Sequence, residues 1–506
     1  MILIYPPVVK PCEPPGGVAL LAGALKKHNM ECKVYDANIE GLLFLINSNV
    51  EPDSSWTKRA VSHRQDNIES IKDSSLYKNF DRYKQKLFDI NHILNAALSS
   101  KRFKLSLADF KDEKLSPVRS LDLLSAADNF QENPFYEYFE ACLKAGIMNS
   151  DSRYIGISLC YLSQALTAFA LAGWIKDNFR DKKIIFGGGL VSTWMSMPGF
   201  NNPFKGLIDI LVQGEGENAV LAACGIEQPS LAGRYCPDFD FAVWDSYLAP
   251  GRIIPFSTSR GCYWRRCRFC PEKAEKTQYR PLKISQALAN LSILSDKYEH
   301  DYVHFIDNAI SPALMKALVK SNMKKKIPFL WYGFARMGRE LEDFDYVRSL
   351  KESGCVMLNL GLESGDQDVL DKMDKGIDLR VASNILKNLK RAGIITYIYL
   401  LFGTPRETEE SAGKTLDYVT HHAPYIDFMN LAIFNLPRFS QEAEHLRVTQ
   451  FYEGDLSLYH NFEHPHGWDR KNVRKFLFKK FRKNPLLAPI VLRNPPFFTS
   501  NHAMFF

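Results

Sequence analysis

The chain has 506 residues, of which 46% are apolar and 12% aromatic, enough to bury sizeable cores and too many for a mainly disordered chain. Its length suggests roughly three or four domains. Lys and Arg number 64 against 57 Asp and Glu, and the net charge of +7 is too mild to indicate nucleic acid binding. The ten cysteines are too few for a disulfide scaffold, but three of them fall within nine residues.

No targeting or membrane-spanning segment is evident. The apolar start of the chain is ended by Pro6 and Pro7, and the longest helix-like apolar stretch, 165–175, is too short to cross a bilayer. We therefore expect a cytoplasmic protein in a reducing compartment, where clustered thiols favour metal binding over disulfides.

Residues 1–226 are expected to form a doubly wound, Rossmann-like α/β domain. Short apolar strands alternate with helical segments, and this pattern is typical of a parallel sheet whose ligands lie beyond the carboxyl ends of the strands. A polar stretch at about 43–150 has helical spacing and reads as a helical insertion, either a lid over the ligand site or a structural decoration. The predicted strands are 1–5, 32–36, 154–158, 184–189 and 208–212.

A second alternation follows a Pro- and Gly-containing linker at 227–252. Six strand and helix units over about 180 residues predict an open parallel barrel, a partial (β/α)6 barrel, at 253–425, with its active residues at the carboxyl ends of the strands. Residues 426–506 form an aromatic and basic C-terminal extension. The predicted strands of the barrel are 253–257, 302–306, 329–334, 356–360, 396–402 and, just beyond it, 428–434.

Cys262, Cys267 and Cys270 directly follow the first barrel strand, with the spacing C-x4-C-x2-C. Three thiolates can hold an iron–sulfur cube and leave its fourth iron open for a substrate or cofactor. Structural zinc is the competing interpretation, but it needs four ligands, and the next cysteine is Cys355. Plain core cysteines are the third alternative.

This segment resembles the radical S-adenosylmethionine (radical SAM) superfamily, whose usual pattern, CxxxCxxC, is one residue shorter. Its Gly-Cys-Tyr-Trp start is similar to a variant among members that carry an N-terminal cobalamin (B12)-binding-like domain. The N-terminal half matches the same subgroup through Pro-Pro-Gly-Gly near residue 15, Gly-Ile-Ser at 156, three glycines at 187–189 and Gly-Glu-Gly-Glu at 214. The resemblance covers about residues 1–42 and 151–425.

The resemblance implies that the three cysteines bind a [4Fe-4S] cluster and that SAM chelates its open iron. Asp307 would hold the SAM amino group, with a helix N-cap as the alternative, and Arg336 would pair with the SAM carboxylate, with a surface arginine as the alternative. Glu363 and Ser364 resemble a ribose- or amino-contacting motif. Gly403 resembles the start of an adenine-contacting element whose second glycine is replaced here by Arg406.

Cobalamin binding rests on weaker signals. Asp36, Asn38 and Gly41 match a D-x-H-x-x-G motif in which the histidine, a cobalt ligand in many cobalamin domains, is replaced by the poorer ligand Asn38. The alternative is a sheet that kept the fold and lost the ligand. Further cobalamin contacts are predicted at the strand ends, at Ser158, Gly187, Gly188, Gly214 and Glu215.

The resemblance therefore implies a radical SAM enzyme, with cobalamin-dependent methyl transfer to an unactivated carbon as its reaction. The alternatives are a radical SAM enzyme without cobalamin, performing cyclisation, oxidation or carbon–carbon coupling, and a non-enzymatic iron–sulfur or zinc binding module. The substrate, a small molecule, lipid or peptide, and the catalytic residues are not identified by the sequence. A flavodoxin or ferredoxin is the expected electron donor.

The extension contains a basic amphipathic helix at 470–483, with eight basic and no acidic residues in fourteen. It is expected either to contact an anionic membrane surface or anionic substrate, or to dock on the barrel with a solvated basic rim; nucleic acid is an unlikely partner. His460, His464 and His466 lie close together in sequence, but their spacing does not support a metal site. The apolar end, 495–506, is expected to pack on the protein.

Overall fold

A computed structural model describes residues 1–98, 100–226, 235–322 and 329–493, and the chain divides into two compact units. The first contains Met1–Ile253 together with Tyr452–Leu458, and the second contains the other described residues. Part of the predicted C-terminal extension thus belongs to the first unit, where Ser120 N donates to Asp455 Oδ1 at 2.8 Å. The stretches 227–234, in the predicted linker, and 494–506, with the predicted apolar end, lie outside the described residues.

The first unit contains a parallel sheet of five strands, in the order β2-β1-β3-β4-β5. This confirms the predicted doubly wound α/β fold class. The strand order reverses between β1 and β3, and ligands of such sheets lie at that point, beyond the carboxyl ends of the strands. The strands are β1 (Ile2–Ile4), β2 (Lys33–Tyr35), β3 (Tyr154–Ser158), β4 (Lys183–Gly187) and β5 (Ile210–Leu211).

Five helices accompany this sheet. One of them, α3, is buried along most of its length, because its sequence is apolar on every side. Glycine allows another part of the unit to approach it closely: a Cβ on Gly173 would lie 2.0 Å from the carbonyl oxygen of Ala127. The helices are α1 (Gly16–Lys27), α2 (Ala37–Ile46), α3 (Leu162–Asn178), α4 (Gly189–Met195) and α5 (Glu217–Ala223).

The predicted insertion is mostly helical but also contains an antiparallel hairpin, Phe103–Leu105 with Phe110–Asp112, which the helical spacing did not predict. It starts later than position 43, because α2 continues to Ile46. Its aromatic residues pack into the first unit, with the Phe139 and Trp174 rings 5.7 Å apart. This packing gives the insertion a structural role, and a lid function stays a prediction. Its main helices are Ser55–Ser62, Arg64–Lys72, Phe80–Ala96, Ser120–Asp128 and Lys144–Met148.

The second unit contains a sheet of six strands in sequential order, in which the second to the sixth pair in parallel. The sheet has two free edges among the described residues, which confirms the predicted open partial barrel. Its strands are mostly buried apolar runs, as expected for a parallel sheet covered on both faces. They are β6 (Ile253–Phe256), β7 (Tyr302–Phe305), β8 (Leu330–Ala335), β9 (Cys355–Glu363), β10 (Ile395–Phe402) and β11 (Phe428–Ile433).

Residues that favour the start or the end of a helix can be recognised at the ends of helices between these strands. The helix before β10 is an example: the Asp378 side chain caps its first turn, five apolar residues on one face are buried, and Gly393 ends it in the left-handed conformation that favours glycine. The long helices of the unit are α6 (Ile284–Lys297), α7 (Pro312–Asn322), α8 (Phe344–Glu352), α9 (Leu379–Ala392) and α10 (Glu409–His421).

The basic segment of the extension forms α11 (Arg470–Phe476) and a following π-helical turn, Leu477–Phe481. Val473, Phe476, Leu477 and Phe481 are buried, whereas Phe478 is 60% exposed. The Phe481 ring lies 5.2 Å from that of Phe402 at the end of β10. The basic residues from 471 to 483 are exposed. The structure thus shows the docked helix with a basic rim, and an anionic membrane contact stays a prediction. Within the described ranges, no helix combines the length and apolar character needed to cross a membrane.

Candidate functional site

The three clustered cysteines lie on the loop that leaves the carboxyl end of β6. The loop is closed at its base by antiparallel pairing of Ser259–Arg260 with Arg280–Pro281. Cys262, Cys267 and Cys270 are half-buried free thiols. Gly261 has a φ of +69°, and a Cβ there would lie 2.8 Å from the carbonyl oxygen of Gln278, so this tight turn requires glycine.

Burial raises the pKa of the Cys267 thiol, while Lys375 and Arg336 act in the opposite direction. Burial likewise raises the pKa of Cys270 to about 11. Such thiols ionise when iron or another cation binds them, which suits a cluster ligand better than a free nucleophile. Within the described ranges, no three His, Cys, Asp or Glu side chains lie close enough together to hold one metal ion, and this includes the three loop cysteines.

Arg336 follows β8 and lies beside the cysteine loop. Its Nη1 is 3.9 Å from the Cys267 sulfur, and its guanidinium stacks on Trp264 with 4.1 Å to the ring centre. Its Nη2 donates to the carbonyl oxygen of Lys375. Arg336 is therefore not a free surface arginine. Its predicted contact with a SAM carboxylate stays a prediction.

Asp307 follows β7 and is 2% exposed. Its carboxylate accepts hydrogen bonds from the backbone N and hydroxyl of Thr258 and from the hydroxyl of Ser259. It therefore ties the end of β7 to the start of the cysteine loop. The helix N-cap alternative is wrong, because the Ser311 hydroxyl accepts the first-turn bond of α7. The predicted ammonium contact of Asp307 stays a prediction.

Glu363 and Ser364 end β9 but have different surroundings. Glu363 has a φ of +66° and forms an ion pair with Lys375 at 2.7 Å, with both side chains largely buried. Ser364 is fully buried, and its hydroxyl bonds with Thr415 and accepts from the backbone N of Asp366. Ser364 thus stabilises the turn and has no exposed surface for the SAM contact predicted for it.

Gly403 ends β10 with a φ of +77°. Its backbone N donates to Glu407, which belongs to the same sequence element. Glu407 is 1% exposed and accepts a second hydrogen bond from the Trp468 indole at 2.8 Å, while its Oε1 is buried without a partner. Nearby, His464 Nε2 donates to the carbonyl oxygen of Thr404 at 2.8 Å, so this histidine is structural.

Glu407 is expected to make the stability of the second unit depend on pH. Burial raises its pKa to about 7, so the native state holds a proton that the unfolded state loses near the usual value of 4.5. Stability should therefore fall by about 3 kcal/mol as the pH rises from about 4.5 to 7. Glu407→Gln should flatten this dependence in urea unfolding, whereas Glu410→Gln, at an exposed position, should not. Equal pH profiles for Glu407→Gln and the parent would contradict the assignment.

In the first unit, the three residues of the predicted cobalamin motif contact other residues of the protein. Asp36 caps α2 and accepts a hydrogen bond from the Tyr247 hydroxyl at 2.8 Å; burial raises its pKa to about 7. The Asn38 amide is bonded on both sides to the backbone of Val9, at 2.7 and 2.9 Å. Asn38 therefore holds the proline-rich loop, and both polar atoms of its amide already have a partner. A Cβ on Gly41 would meet the Phe135 ring at 3.0 Å, which makes Gly41 a packing glycine.

The glycines at the carboxyl edge of the first sheet differ in role. Gly188 has a φ of +107° and packs on Leu159, whose carbonyl oxygen a Cβ would meet at 2.4 Å. Gly187 and Gly214 leave space at this edge: a Cβ on Gly187 would meet only Val212 at 3.6 Å, and one on Gly214 would meet nothing within 4 Å. Ser158 lies at the same edge, with its hydroxyl 3.6 Å from the Cys160 sulfur, and Glu215 is partly exposed there.

These observations fit the two implied cofactors to different degrees. The cysteine loop supplies three half-buried thiols with cations beside one of them, which fits an iron–sulfur cluster. The sheet edge of the first unit has room beside Gly187 and Gly214, at the strand ends where ligands of such folds lie. It fits a cobalamin held without a cobalt ligand from the Asp36 motif.

Comparisons with known proteins agree with these features. The model of the radical SAM superfamily matches residues 256–419. A methyltransferase of Pyrococcus horikoshii described as uncharacterized is 26% identical over 233 residues, covering 42% of this chain and 50% of the relative. The anaerobic magnesium-protoporphyrin IX monomethyl ester cyclase of Rubrivivax gelatinosus is 23% identical over 214 residues, covering 41% and 38%. The chain thus spans half or less of the length of these relatives.

Among solved structures, the chain is similar to the radical SAM methyltransferase TsrM from Kitasatospora setae, solved with cobalamin and a [4Fe-4S] cluster. The TM-score is 0.52 at 14% sequence identity, with 88% of this chain and 77% of that one covered. At this identity the likeness concerns the fold. It extends over both units of the chain.

Proposed function

Because this chain is a member of the radical SAM superfamily, we propose that it cleaves SAM reductively at a [4Fe-4S] cluster and transfers a methyl group to an unactivated carbon with cobalamin. The observation that carries the proposal is the loop of Cys262, Cys267 and Cys270 at the carboxyl end of the first barrel strand. The methyltransferase relative and the fold shared with TsrM support the cobalamin-dependent form.

The cluster would supply the electron that breaks the S–C5′ bond of SAM, and cobalamin would carry the methyl group. Three thiolates bind three irons and leave the fourth for SAM. Asp307 fixes the start of the loop by its bonds to Thr258 and Ser259. The ion pair of Glu363 with Lys375 keeps a compensated, largely buried charge at the end of β9.

A radical SAM enzyme that does not use cobalamin is the second candidate. One observation favours it: both polar atoms of the Asn38 amide are hydrogen-bonded to the backbone of Val9. The substrate, whether small molecule, lipid or peptide, is open in both candidates. In either case we place the protein in the cytoplasm, where its ten free cysteines stay reduced.

The two candidates are separated by reconstituting the protein anaerobically with iron, sulfide and hydroxocobalamin, followed by desalting. We expect cobalamin to stay bound at about one per chain, seen by its visible absorption. A Gly214→Trp variant, which fills the open space at the sheet edge, should lose cobalamin. Gly199→Trp, at a glycine with a similar positive φ and also with nothing within 4 Å of a Cβ, should keep it. Complete loss of cobalamin from the parent protein would contradict the methyltransferase form alone.

The electron donor would dock on the exposed surface of the cysteine loop. Between 260 and 283 no acidic side chain is exposed, whereas six basic ones are. Four of them form no ion pair within the described part of the chain: Arg265, Arg268, Lys276 and Lys283. This charge suits an acidic one-electron donor such as a flavodoxin or ferredoxin. The six exposed residues are Arg265, Arg266, Arg268, Lys276, Arg280 and Lys283.

The docking proposal predicts a charge effect that depends on salt. Reversing Arg265 and Arg268 to Glu should slow cluster reduction by reduced flavodoxin about tenfold at low ionic strength, and the difference should shrink at high salt. Stopped-flow absorption measures this rate. Reduction by dithionite, a small anion, should slow much less than reduction by flavodoxin. Lys387→Glu, at an exposed position on α9, serves as the control. Equal flavodoxin rates for the double variant and the control would contradict the docking surface.

A further inference from the structure

The spacer between the first two cysteines is one residue longer than in the superfamily pattern, and it makes a specific contact. The Trp264 indole N–H donates to the carbonyl oxygen of Asp374 at 3.0 Å. A Cβ on Gly376 would lie 2.1 Å from this indole ring, so the ring packs directly on the backbone. The next residue, Arg265, turns the chain in the left-handed region with a φ of +52°. The spacer thus places Trp264 against the segment 373–376, which we call the clasp.

The clasp holds the loop at a second point as well. The backbone N of Arg268 donates to the carbonyl oxygen of Met373 at 3.0 Å. The loop is thus tied to the clasp both before and after Cys267. These bonds join parts of the chain that are more than one hundred residues apart. The middle thiol is fixed in place by structure that lies outside the cysteine motif.

Arg336 completes this arrangement. Its guanidinium is held between the Trp264 ring, 4.1 Å away, and the carbonyl oxygen of Lys375 in the clasp. The other terminal nitrogen of the guanidinium, Nη1, lies 3.9 Å from the Cys267 sulfur. A guanidinium is planar and stays charged at any working pH, so its two anchors determine where the charge lies.

Arg336 is the uncompensated charge at this thiol. Lys375 also lies near Cys267, but its ammonium is paired with Glu363 at 2.7 Å. Arg336 has no ion pair with a carboxylate among the residues that the structure describes. Reduction adds one negative charge to a cluster, and a positive charge or hydrogen bond at a ligand sulfur stabilises that state and raises the potential.

We propose that Arg336 is a positioning residue that raises the reduction potential of the cluster through Cys267, and that Trp264 and the clasp hold it there. The inference rests on the proposed function only in that a cluster binds the cysteine loop. In this proposal, the C-x4-C spacer supplies Trp264, the residue on which Arg336 stacks.

The first test measures the cluster potential in the reconstituted full-length chain by a redox titration followed by electron paramagnetic resonance. Arg336→Met should lower the reduction equilibrium constant about tenfold, which is about 59 mV for one electron. Arg336→Lys keeps the charge and should recover at least half of this shift. Arg339→Met removes an exposed arginine three residues away and should cause none. A potential unchanged in Arg336→Met, or a shift equal to that of Arg339→Met, would overturn the proposal.

The second test addresses the clasp with two matched glycines. Gly376 and Gly393 have φ values of +67° and +71°, so alanine strains the backbone at both. Only at Gly376 would the new Cβ strike Trp264; at Gly393 the nearest atom is Lys351 Cε at 4.0 Å. Gly376→Ala should shift the potential in the same direction as Arg336→Met or reduce the iron content by half or more, and Gly393→Ala should do neither. Equal behaviour of the two variants would refute the clasp.

These measurements need no turnover. If the variants shift the potential as expected while the protein fails to cleave SAM, the proposed function fails and the inference stands. If SAM is cleaved but the variants leave the potential and iron content unchanged, the inference fails and the proposed function stands.

Discussion

Replacing Cys267 with alanine is expected to remove the cluster, reducing bound iron from about four per chain to background after anaerobic reconstitution. Cys267 is the middle cysteine of the loop and has Arg336 beside it. Two thiolates cannot hold the cube against a desalting step, and SAM cleavage should disappear with it. Iron and sulfide analysis together with the visible absorption of the protein measure the result.

Cys142→Ala is the matched control, because Cys142 is an exposed free thiol of the first unit. This variant should keep the iron content of the parent protein. The cluster assignment is wrong if Cys267→Ala retains the full iron content, and equal iron loss in both variants would indicate a general effect of removing a thiol.

Lys375→Met is expected to cost the second unit about 3–5 kcal/mol of unfolding free energy, the largest stability effect we predict for a single substitution. The side chains of Lys375 and Glu363 are only 9% and 12% exposed and meet at 2.7 Å. Removing the ammonium leaves the Glu363 carboxylate buried without its counter-charge. Urea unfolding of the apo-protein, followed by the far-ultraviolet signal, measures the loss.

The double variant Lys375→Met with Glu363→Gln tests the cause of this loss. Once the carboxylate is also neutral, we expect at least half of the lost stability to return, since no uncompensated charge stays buried. Arg348→Met, which removes one partner of an exposed ion pair with Asp345, should cost less than about 1 kcal/mol. A double variant as unstable as Lys375→Met would show that the loss comes from packing instead of charge.

The strands of both sheets could be predicted closely from sequence, because parallel strands covered on both faces are apolar runs bounded by polar or glycine residues. The strand predicted at 154–158 is observed at Tyr154–Ser158, and that at 396–402 begins one residue earlier, at Ile395–Phe402. The hairpin at 103–112 was not predicted, because its strands have only three residues each within a stretch of helical spacing.

Partners of the site residues could not be predicted in the same way, because they come from distant parts of the chain. The D-x-N-x-x-G pattern does not reveal that Val9 occupies the Asn38 amide, and nothing near Ser364 in sequence indicates its bond to Thr415. Glu407 and Trp468 are 61 residues apart and meet only after the extension has packed on the end of β10. The three cysteines, in contrast, lie within nine residues of each other, so their grouping can be predicted from the sequence alone.

The central claim, that this chain cleaves SAM at a cluster held by its cysteine loop, is tested most directly by measuring 5′-deoxyadenosine. The reconstituted protein is incubated anaerobically with SAM and dithionite, and the products are separated by chromatography and identified by mass. We predict 5′-deoxyadenosine and methionine in equal amounts, formed by the parent protein and Cys142→Ala but not by Cys267→Ala. A protein with its full cluster that forms no 5′-deoxyadenosine, with or without candidate substrates, would contradict the claim.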